Sequence, residues 1–193
     1  MNLVIIDYGA GNIKSVKYAL ERIGVNAELT NDFLKIENAD KVILPGVGEA
    51  GSAMVELKKH ELDKLIPTLK QPVLGICLGI QLMCEFTEEG NTDCMGIFPI
   101  KVKKFNTKLK VPQVGWNNIS KLKTCLFKQV KENEYAYFVH SFYAPLSKYT
   151  IAQTIYDKEF SAALQKANFY ACQFHPEKSG DAGQQILKNF VNL

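Results

Sequence analysis

Short apolar runs alternate with amphipathic segments through the first half of the chain, and this alternation restricts the possible folds more than any other feature. The predicted strands are Leu3–Ile6, residues 26–30, Lys41–Leu44 and residues 72–76. The predicted helices between and after them are residues 13–23, 49–57 and 78–86. Strands that alternate with helices in this way indicate β–α units and a parallel sheet.

The second half of the chain, after residue 95, is richer in strand-forming segments separated by turns. The predicted elements are strands at 100–105, 135–139, Thr150–Tyr156 and 169–174, and a last helix at 182–191. No repeat, linker or low-complexity tract divides the 193 residues, which suffice to bury one core. We therefore predict a single α/β domain over residues 1–193, with a mostly parallel central sheet flanked by helices and an additional antiparallel β portion in the second half.

Composition excludes several classes of function. A net charge of +3 is too small to favour nucleic acid or a membrane surface, and no apolar run approaches the length of a membrane span. The five cysteines are scattered and have no Cys-x-x-Cys spacing, which argues against a disulfide framework and a zinc site. Asp7 lies where a secretion signal would be basic. We expect a cytoplasmic protein with no metal and no cofactor.

Cys77 occupies an unusual position in the stretch Pro72-Val-Leu-Gly-Ile-Cys77-Leu-Gly-Ile-Gln81. A predicted strand precedes it, a predicted helix follows it, and a glycine lies two residues away on each side. A tight strand-to-helix turn presents its central side chain outwards and aims helix N-terminal N–H groups at a ligand. The structural alternative is a buried cysteine that acts as a small hydrophobe.

A catalytic thiol needs a base and a group that orients the base, and the chain contains only three histidines. His60 lies in a charged stretch typical of a helix surface. His140 ends an aromatic strand, where either core hydrogen bonding or support of a site is possible. His175 stands in Phe174-His-Pro-Glu177, where a strand runs into the tripeptide.

The spacing of His175 and Glu177 favours a catalytic pair. In extended backbone, residues two apart point to the same side, and the intervening proline biases His175 towards that conformation. A carboxylate beside an imidazole selects its tautomer and stabilises the imidazolium. The alternative for such a pair is a surface ion pair, but the cysteine at a strand–helix turn favours catalysis.

A third segment, Pro45-Gly-Val-Gly48, follows the strand Lys41–Leu44. Two glycines around one residue let the backbone approach a ligand and turn an N–H group towards it. The carboxyl ends of parallel strands are where ligands bind in open α/β sheets. The segment therefore predicts a loop that contributes to an oxyanion hole beside Cys77.

Together these three segments resemble the class I (triad) glutamine amidotransferases, whose fold is flavodoxin-like. Gly75-Ile-Cys-Leu-Gly-Ile-Gln81 resembles the nucleophile segment of that class, Phe174-His-Pro-Glu177 its His–Glu segment, and Pro45-Gly-Val-Gly48 its oxyanion loop. The resemblance implies hydrolysis of L-glutamine through a cysteinyl thioester. The implied catalytic residues are Cys77, His175 and Glu177. The implied oxyanion residues are Val47, Gly48 and Leu78, and the implied glutamine-binding residues are Gly46, Gln81, Glu89, Ser141 and Phe142.

Within that class, the chain is most similar to the family of glutaminase subunits of imidazole glycerol phosphate synthase, from histidine biosynthesis. The segments Asp7-Tyr-Gly-Ala-Gly-Asn-Ile13, Val114-Gly-Trp-Asn117 and Phe138-Val-His-Ser141 carry this closer resemblance. It implies a heterodimer with a (β/α)8-barrel cyclase subunit, to which ammonia is channelled. The implied interface residues are Asn12, Trp116, Asn117 and Lys178.

Two alternatives share part of this interpretation. The triad acts on glutamine and does not contact the ammonia acceptor. The chain could therefore supply ammonia to a different synthase, for instance one that amidinates a cell-surface sugar. It could also be a catalytically silent scaffold that supports its partner. The remaining cysteines are predicted to be packing residues: Cys84, Cys94, Cys125 and Cys172.

Overall fold

The computed structural model describes residues 1–9 and 13–193. The elements of the first half, in chain order, are β1 (Leu3–Ile6), α1 (Ile13–Arg22), β2 (Ala27–Thr30), α2 (Phe33–Glu37), β3 (Lys41–Leu44), α3 (Ala50–Lys59), α4 (Leu62–Leu65), β4 (Val73–Ile76) and α5 (Leu78–Met83). Those of the second half are β5 (Cys84–Thr87), β6 (Thr92–Asp93), β7 (Phe98–Lys104), β8 (Gln113–Asn118), β9 (Tyr135–His140), β10 (Phe142–Tyr143), β11 (Thr150–Tyr156), β12 (Lys158–Lys166), β13 (Phe169–Cys172) and α6 (Gly180–Val191).

The central sheet has the strand order β11-β12-β13-β4-β3-β1-β2. The five strands from β13 to β2 are parallel, whereas β12 and β11 add to one edge in antiparallel orientation. This arrangement confirms the predicted fold class. The last strand of the chain is thereby paired with β4, so that residues after β13 lie beside the end of β4.

The apolar runs of the first half are explained by burial on both faces of the sheet. Leu3 and Ile5 belong to one hydrophobic cluster, and Val4 and Ile6 to the other. Because side chains alternate between the two faces of a strand, a strand covered on both sides needs apolar residues at every position.

Two smaller sheets account for most of the strands in the second half. β10, β7, β5 and β6 form one, and β8 and β9 pair as a separate antiparallel ribbon. The predicted helix at 78–86 is too long, because α5 ends at Met83 and β5 pairs with β7 instead. Tertiary pairing overrides the helical pattern there, and the aromatic and β-branched residues of β5, Phe86 and Thr87, suit a strand.

Within residues 1–9 and 13–193, no helix combines the length and the apolar character needed to cross a bilayer.

Candidate active site

Cys77 lies at a strained turn between β4 and α5. Its φ of 52° and ψ of −104° fall in a region that L residues rarely adopt. Its backbone N–H donates to the carbonyl of Cys172 in β13 at 2.8 Å, which holds the turn against the neighbouring strand. The strand–turn–helix geometry predicted from sequence is therefore present, and surrounding contacts hold the strain in place. The outward presentation is not: Cys77 is buried, 7% exposed, and belongs to a hydrophobic cluster while also lining the cleft.

The glycines on either side of Cys77 allow α5 to lie directly on the sheet. A Cβ atom added to Gly79 would collide with the carbonyl oxygen of Leu44 in β3. One added to Gly75 would lie 2.9 Å from Met83 Sδ and 3.0 Å from the carbonyl carbon and oxygen of Gly79. The close helix–sheet contact therefore needs glycine at both positions. It allows the first turn of α5 to begin directly after Cys77.

The three predicted triad residues meet in the structure. His175 Nδ1 lies 2.8 Å from Glu177 Oε1, and both side chains are almost entirely buried. The His175 ring and the Cys77 thiol line the same cleft, and Cys77 is close enough to raise the pKa of the ring. Since Glu177 occupies Nδ1, Nε2 is the ring nitrogen left for the thiol. The thiol also lies 3.6 Å from the carbonyl oxygen of Val139, at the end of β9.

The route by which Glu177 reaches His175 differs from the prediction. The two residues were expected to share one side of an extended strand, but β13 ends at Cys172 and Pro176–Lys178 form a 3-10 turn. Proline fixes φ near the helical value and is favoured at the first position of a helical turn. The chain therefore curls after His175, and the curl brings the carboxylate back onto Nδ1.

The electrostatics of His175 favour its charged form. Burial by itself lowers the pKa of the imidazole, but the hydrogen bonds and the negative charges of Cys77 and Glu177 outweigh burial and raise the pKa from 6.5 to about 10. An imidazolium beside the sulfur is the arrangement that stabilises a thiolate nucleophile.

A cleft of about 270 Å³ opens in front of the thiol. Its volume suits a small metabolite better than a drug-sized ligand. The residues that line it are Val47, Gly48, Cys77, Leu78, Gln81, Glu89, Pro112, Val139, His140, Ser141, Phe142, His175 and Lys178. Of the residues predicted to bind glutamine, only Gly46 lies outside this lining, because it is buried against Leu78 and Gly79.

The loop after β3 borders the cleft as expected. Val47 and Gly48 are exposed, and Gly48 has a φ of +108°, which glycine adopts without strain. The N–H of Leu78 donates to the carbonyl of Gly46 at 3.3 Å. One of the predicted oxyanion donors is therefore already hydrogen-bonded to the loop in this structure.

A buried tyrosine anchors the start of that loop. The Tyr8 hydroxyl donates to the carbonyl of Pro45 at 2.8 Å, and burial raises the pKa of Tyr8 well above its usual value. Sequence reasoning did not identify this contact, because nothing near Tyr8 in the chain indicates that β1 ends beside β3.

A hydrogen-bond network links two residues that line the cleft, Gln81 and Glu89. Gln81 Oε1 accepts from the hydroxyl of Thr87 at 2.9 Å, and Thr87 Oγ1 accepts from the N–H of Glu89 at 3.2 Å. Glu89 Oε2 accepts from the N–H of Ala50, the first residue of α3, at 3.1 Å. Burial raises the pKa of Glu89, the Ala50 N–H opposes this, and the charge of Glu49 adds to it.

His140 is a buried neutral group that supports the cleft wall. Its Nδ1 lies 2.7 Å from the carbonyl oxygen of Phe142, and its Nε2 lies 3.0 Å from the Gln113 side-chain oxygen. A neutral ring that donates to Phe142 must accept at Nε2, which requires the Gln113 amide to turn by 180° so that its nitrogen replaces the oxygen there. Burial lowers the pKa of His140 to about 4. Both alternatives considered for His140, core hydrogen bonding and site support, therefore apply.

Two of the predicted interface residues, Trp116 and Lys178, are exposed and lie against the same ring, that of Tyr137. Trp116 is 56% exposed and its ring stands edge-on to Tyr137, with 5.8 Å between centroids, so it is not a core residue. Lys178 is exposed and its Nζ lies 6.0 Å from the centre of the Tyr137 ring. The Asn117 side chain donates to the carbonyl of Ile155 at 2.8 Å. Asn12 falls outside the described residues.

The other cysteines follow the prediction only in part. Cys84 and Cys172 are buried and Cys94 is half-buried, whereas Cys125 is exposed and does not pack in the core. Cys125 lies in a 3-10 turn on the surface, where packing does not determine residue choice. Across the described part of the chain, no group of three or more His, Cys, Asp or Glu side chains could hold a metal ion.

Residues 4–193 match the family model for "Glutamine amidotransferase class-I". This chain belongs to the class-I glutamine amidotransferase family. The amidotransferase is 57% identical to the imidazole glycerol phosphate synthase subunit HisH of Bacteroides fragilis strain YCH46, with both chains fully covered. It is 48% identical to the subunit of the same name from Haemophilus influenzae strain KW20, over 99% of this chain and 97% of that one.

Solved structures confirm the fold of the amidotransferase. A structure of PurLQS from Thermotoga maritima superposes with a TM-score of 0.76 at 17% identity, over 99% of this chain and 97% of that one. A structure titled as a glutamine amidotransferase gives a TM-score of 0.77 at 15% identity, over 98% and 97%.

Proposed function

We propose that this chain is the glutaminase subunit of an imidazole glycerol phosphate synthase and acts in histidine biosynthesis. It hydrolyses L-glutamine to glutamate and ammonia. The observation that carries the proposal is a cysteine at a strained strand–helix turn that shares a cleft of metabolite size with a histidine oriented by a buried carboxylate. The full-length similarity to two HisH subunits, at 57% and 48% identity, supports this choice of synthase.

The chemistry follows from the positions of the three side chains. Cys77 Sγ attacks the carboxamide carbon of glutamine, and the C=O π electrons move onto the oxygen. His175, already charged beside the sulfur, gives its Nε2 proton to the amide nitrogen as the C–N bond breaks, so that ammonia departs and a γ-glutamyl thioester remains. The neutral His175 then takes a proton from water while the water oxygen attacks the thioester carbon. Collapse of this second tetrahedral intermediate breaks the C–S bond, releases glutamate and restores the thiolate beside the charged His175. These steps use only side chains and backbone N–H groups, and we propose no cofactor.

The polar groups of the cleft suit the amino-acid end of glutamine. The Gln81 amide supplies N–H donors for the α-carboxylate, and the Glu89 carboxylate accepts from the α-ammonium group. Ser141 and Phe142 contribute backbone groups, and His140 holds the carbonyl of Phe142 in place. A single cleft thus contains a donor, an acceptor and the nucleophile.

The oxyanion hole needs a rearrangement of the loop. We assign the Leu78 N–H and an N–H of Val47 or Gly48 as donors, yet the Gly46 carbonyl accepts from Leu78 here. The C=O and N–H of a peptide point to opposite sides, so rotation of the Gly46–Val47 peptide removes the carbonyl and brings in the Val47 N–H. One missing donor costs roughly 3 kcal/mol, or about a hundredfold in rate. Partner docking that turns this peptide would therefore prevent waste of glutamine.

The partner is a (β/α)8-barrel cyclase, and the pair forms a heterodimer in the cytoplasm. Trp116, Asn117 and Lys178 contribute to the interface on this chain, and Asn12 is assigned to it from sequence alone. Exposed tryptophans are common energetic centres of interfaces. Lys178 also lines the cleft, so the interface would adjoin the site where ammonia is released.

Mixing the chain with a candidate cyclase tests this function. We expect product formation with glutamine or with ammonium salts, and the Cys77→Ala variant should keep only the ammonium-dependent activity. The loss of glutamine-dependent activity should be on the order of a thousandfold or more, because the nucleophile is removed. Cys125→Ala serves as the control and should retain both activities. Equal glutamine-dependent synthesis by Cys77→Ala would contradict the proposal, as would product formation only with a different synthase.

A further inference from the structure

Thr87 is a fully buried residue at the end of β5 that does not line the cleft but contacts two residues that do. Its hydroxyl lies 2.9 Å from Gln81 Oε1 and 3.2 Å from the backbone nitrogen of Glu89. One hydroxyl therefore touches both side chains that we assign to the amino-acid end of the substrate. Sequence reasoning did not select Thr87, since a threonine two residues before a turn has no distinctive pattern.

The two hydrogen bonds determine which way the Gln81 amide points. A backbone N–H can only donate, so Thr87 Oγ1 accepts from Glu89 and its own proton remains for Gln81. Gln81 must then present its oxygen to Thr87 and its NH₂ group to the cleft. The reverse orientation would leave the buried hydroxyl proton without an acceptor among residues 1–9 and 13–193, which is costly.

The same hydroxyl also holds the backbone from which the Glu89 carboxylate projects. Glu89 Oε2 is already committed to the N–H of Ala50, at the start of α3. The residue is thus held at its backbone nitrogen and at one carboxylate oxygen, and it lines the same cleft as Gln81. A group that offers donors next to a group that offers acceptors is complementary to an α-carboxylate next to an α-ammonium.

We propose that Thr87 is a positioning residue that fixes the polarity of the amino-acid subsite, with Gln81 as donor and Glu89 as acceptor. This inference rests on the proposed glutaminase function. Loss of the hydroxyl frees the Gln81 amide to turn its oxygen towards the substrate carboxylate, where the two oxygens repel. Thr87 touches neither the thiol nor the imidazole, so the effect belongs to substrate binding and not to bond breaking.

The substitution Thr87→Val tests this role because it removes the hydroxyl and keeps the branched shape. We expect the KM for glutamine to rise about tenfold or more, as for a lost hydrogen bond to a charged group, with kcat changed far less. Thr87→Ser restores the hydroxyl and should recover most of the affinity. Thr87→Ala, which also lacks the hydroxyl, should behave like Thr87→Val and provides a second variant if valine prevents folding.

Thr154→Val is the matched control. Thr154, in β11, is also a buried threonine and is 1% exposed. Its hydroxyl has no hydrogen-bond partner in the described part of the chain. Its substitution should leave the KM for glutamine unchanged. A rise in KM equal to that of Thr87→Val would show a general effect of core changes and overturn the inference.

Labelling of Cys77 separates the subsite from the nucleophile. The diazoketone 6-diazo-5-oxo-L-norleucine carries the amino-acid end of glutamine, whereas iodoacetamide does not. Thr87→Val should slow labelling by the diazoketone about tenfold and leave the iodoacetamide rate unchanged. Equal slowing with both reagents, or no slowing with either, would overturn the proposed role of Thr87 but not the proposed glutaminase function. Failure of the unsubstituted protein to react with the diazoketone would instead contradict the proposed glutaminase function.

Discussion

At this site, the surrounding residues determine the backbone conformation of Cys77 and the protonation states of His175 and His140. Cys77 keeps a positive φ because its N–H is held by Cys172, and His175 keeps its proton because Cys77 and Glu177 both favour the charged ring. His140, on the other side of the cleft, shows the opposite behaviour, since burial keeps it neutral. Two histidines lining one cleft are thus driven to different charges by their neighbours.

The neutral state of His140 predicts a loss of stability in acid. The unfolded chain takes up a proton on this residue near pH 6.5, but the folded chain does so only near pH 4. Its contribution to the free energy of unfolding is therefore complete above pH 6.5 and is lost as the pH falls towards 4. Between pH 7 and 5 the loss is roughly 2 kcal/mol. The pKa of His175 is raised, so its own contribution is present below pH 6.5 and is lost as the pH rises towards 10, which affects only the upper edge of this interval.

Urea unfolding of the His140→Gln variant checks this prediction. The variant should be less stable than the unsubstituted protein at pH 7, and its stability should fall less between pH 7 and 5. His60→Gln, at the end of α3, should keep the original pH dependence. Identical pH dependence in His140→Gln and the unsubstituted protein would show that another group is responsible.

At the scale of elements, the site depends on how closely α5 approaches the sheet. The helix begins directly after β4, and its second residue, Gly79, faces the carbonyl of Leu44 with no room for a side chain. The same approach places Gly46 under Leu78, so that the loop after β3 and the first turn of α5 share one surface. The distance between β3 and α5 therefore controls both the nucleophile and the oxyanion loop.

Gly79→Ala should destabilise the fold and disturb the site together. Its methyl group would collide with backbone, which cannot move as a flexible side chain can, so we expect a loss of about 2–3 kcal/mol in the free energy of unfolding. Gly51→Ala is the control, because Gly51 is also the second residue of a helix and its nearest neighbour is the flexible carboxylate of Glu49. Urea unfolding should show a change below about 1 kcal/mol for Gly51→Ala. Equal effects of the two substitutions would contradict this account.

The whole molecule brings together parts that are far apart in the chain. Cys77 follows β4, and His175 follows β13, nearly a hundred residues later, but β4 and β13 are adjacent parallel strands. The β8–β9 ribbon lies across the same end, since its Val139 carbonyl meets the Cys77 thiol and Trp116 stands on its exposed face. The nucleophile and the proposed docking surface are therefore parts of one continuous region.

Trp116→Ala should weaken docking to the cyclase without harming the isolated site. Loss of a central aromatic anchor costs about 2 kcal/mol or more, so the Kd of the complex should rise roughly thirtyfold. Iodoacetamide labelling of Cys77 in the free subunit should be unchanged, since Trp116 does not line the cleft. Leu34→Ala, which removes another exposed apolar side chain on α2, should not alter the Kd. Titration calorimetry measures both, and an unaltered Kd for Trp116→Ala would remove it from the interface.

Much of the architecture could be predicted from sequence because its causes are local. The wholly apolar β1, the helical spacing in α1, and the glycines around Cys77 each express a constraint carried by adjacent residues. The triad residues were found for the same reason, as short motifs typical of their chemistry. The early end of α5 was not predicted, because the pairing of β5 with β7, a partner distant in sequence, determines it. The 3-10 turn after His175 was missed for a different reason: Pro176 is compatible both with the extended strand that was predicted and with the first position of a helical turn.

The sequence by itself determined which strands are buried on both faces, which turn is strained, and which thiol, imidazole and carboxylate are available for catalysis. Only the tertiary structure decided that β13 adjoins β4, that Thr87 orients Gln81, and that the Gly46 carbonyl occupies the Leu78 N–H. The physical reason is that periodicity and turn chemistry act over a few residues. Hydrogen bonds to buried groups, in contrast, depend on which distant segments the completed core brings together.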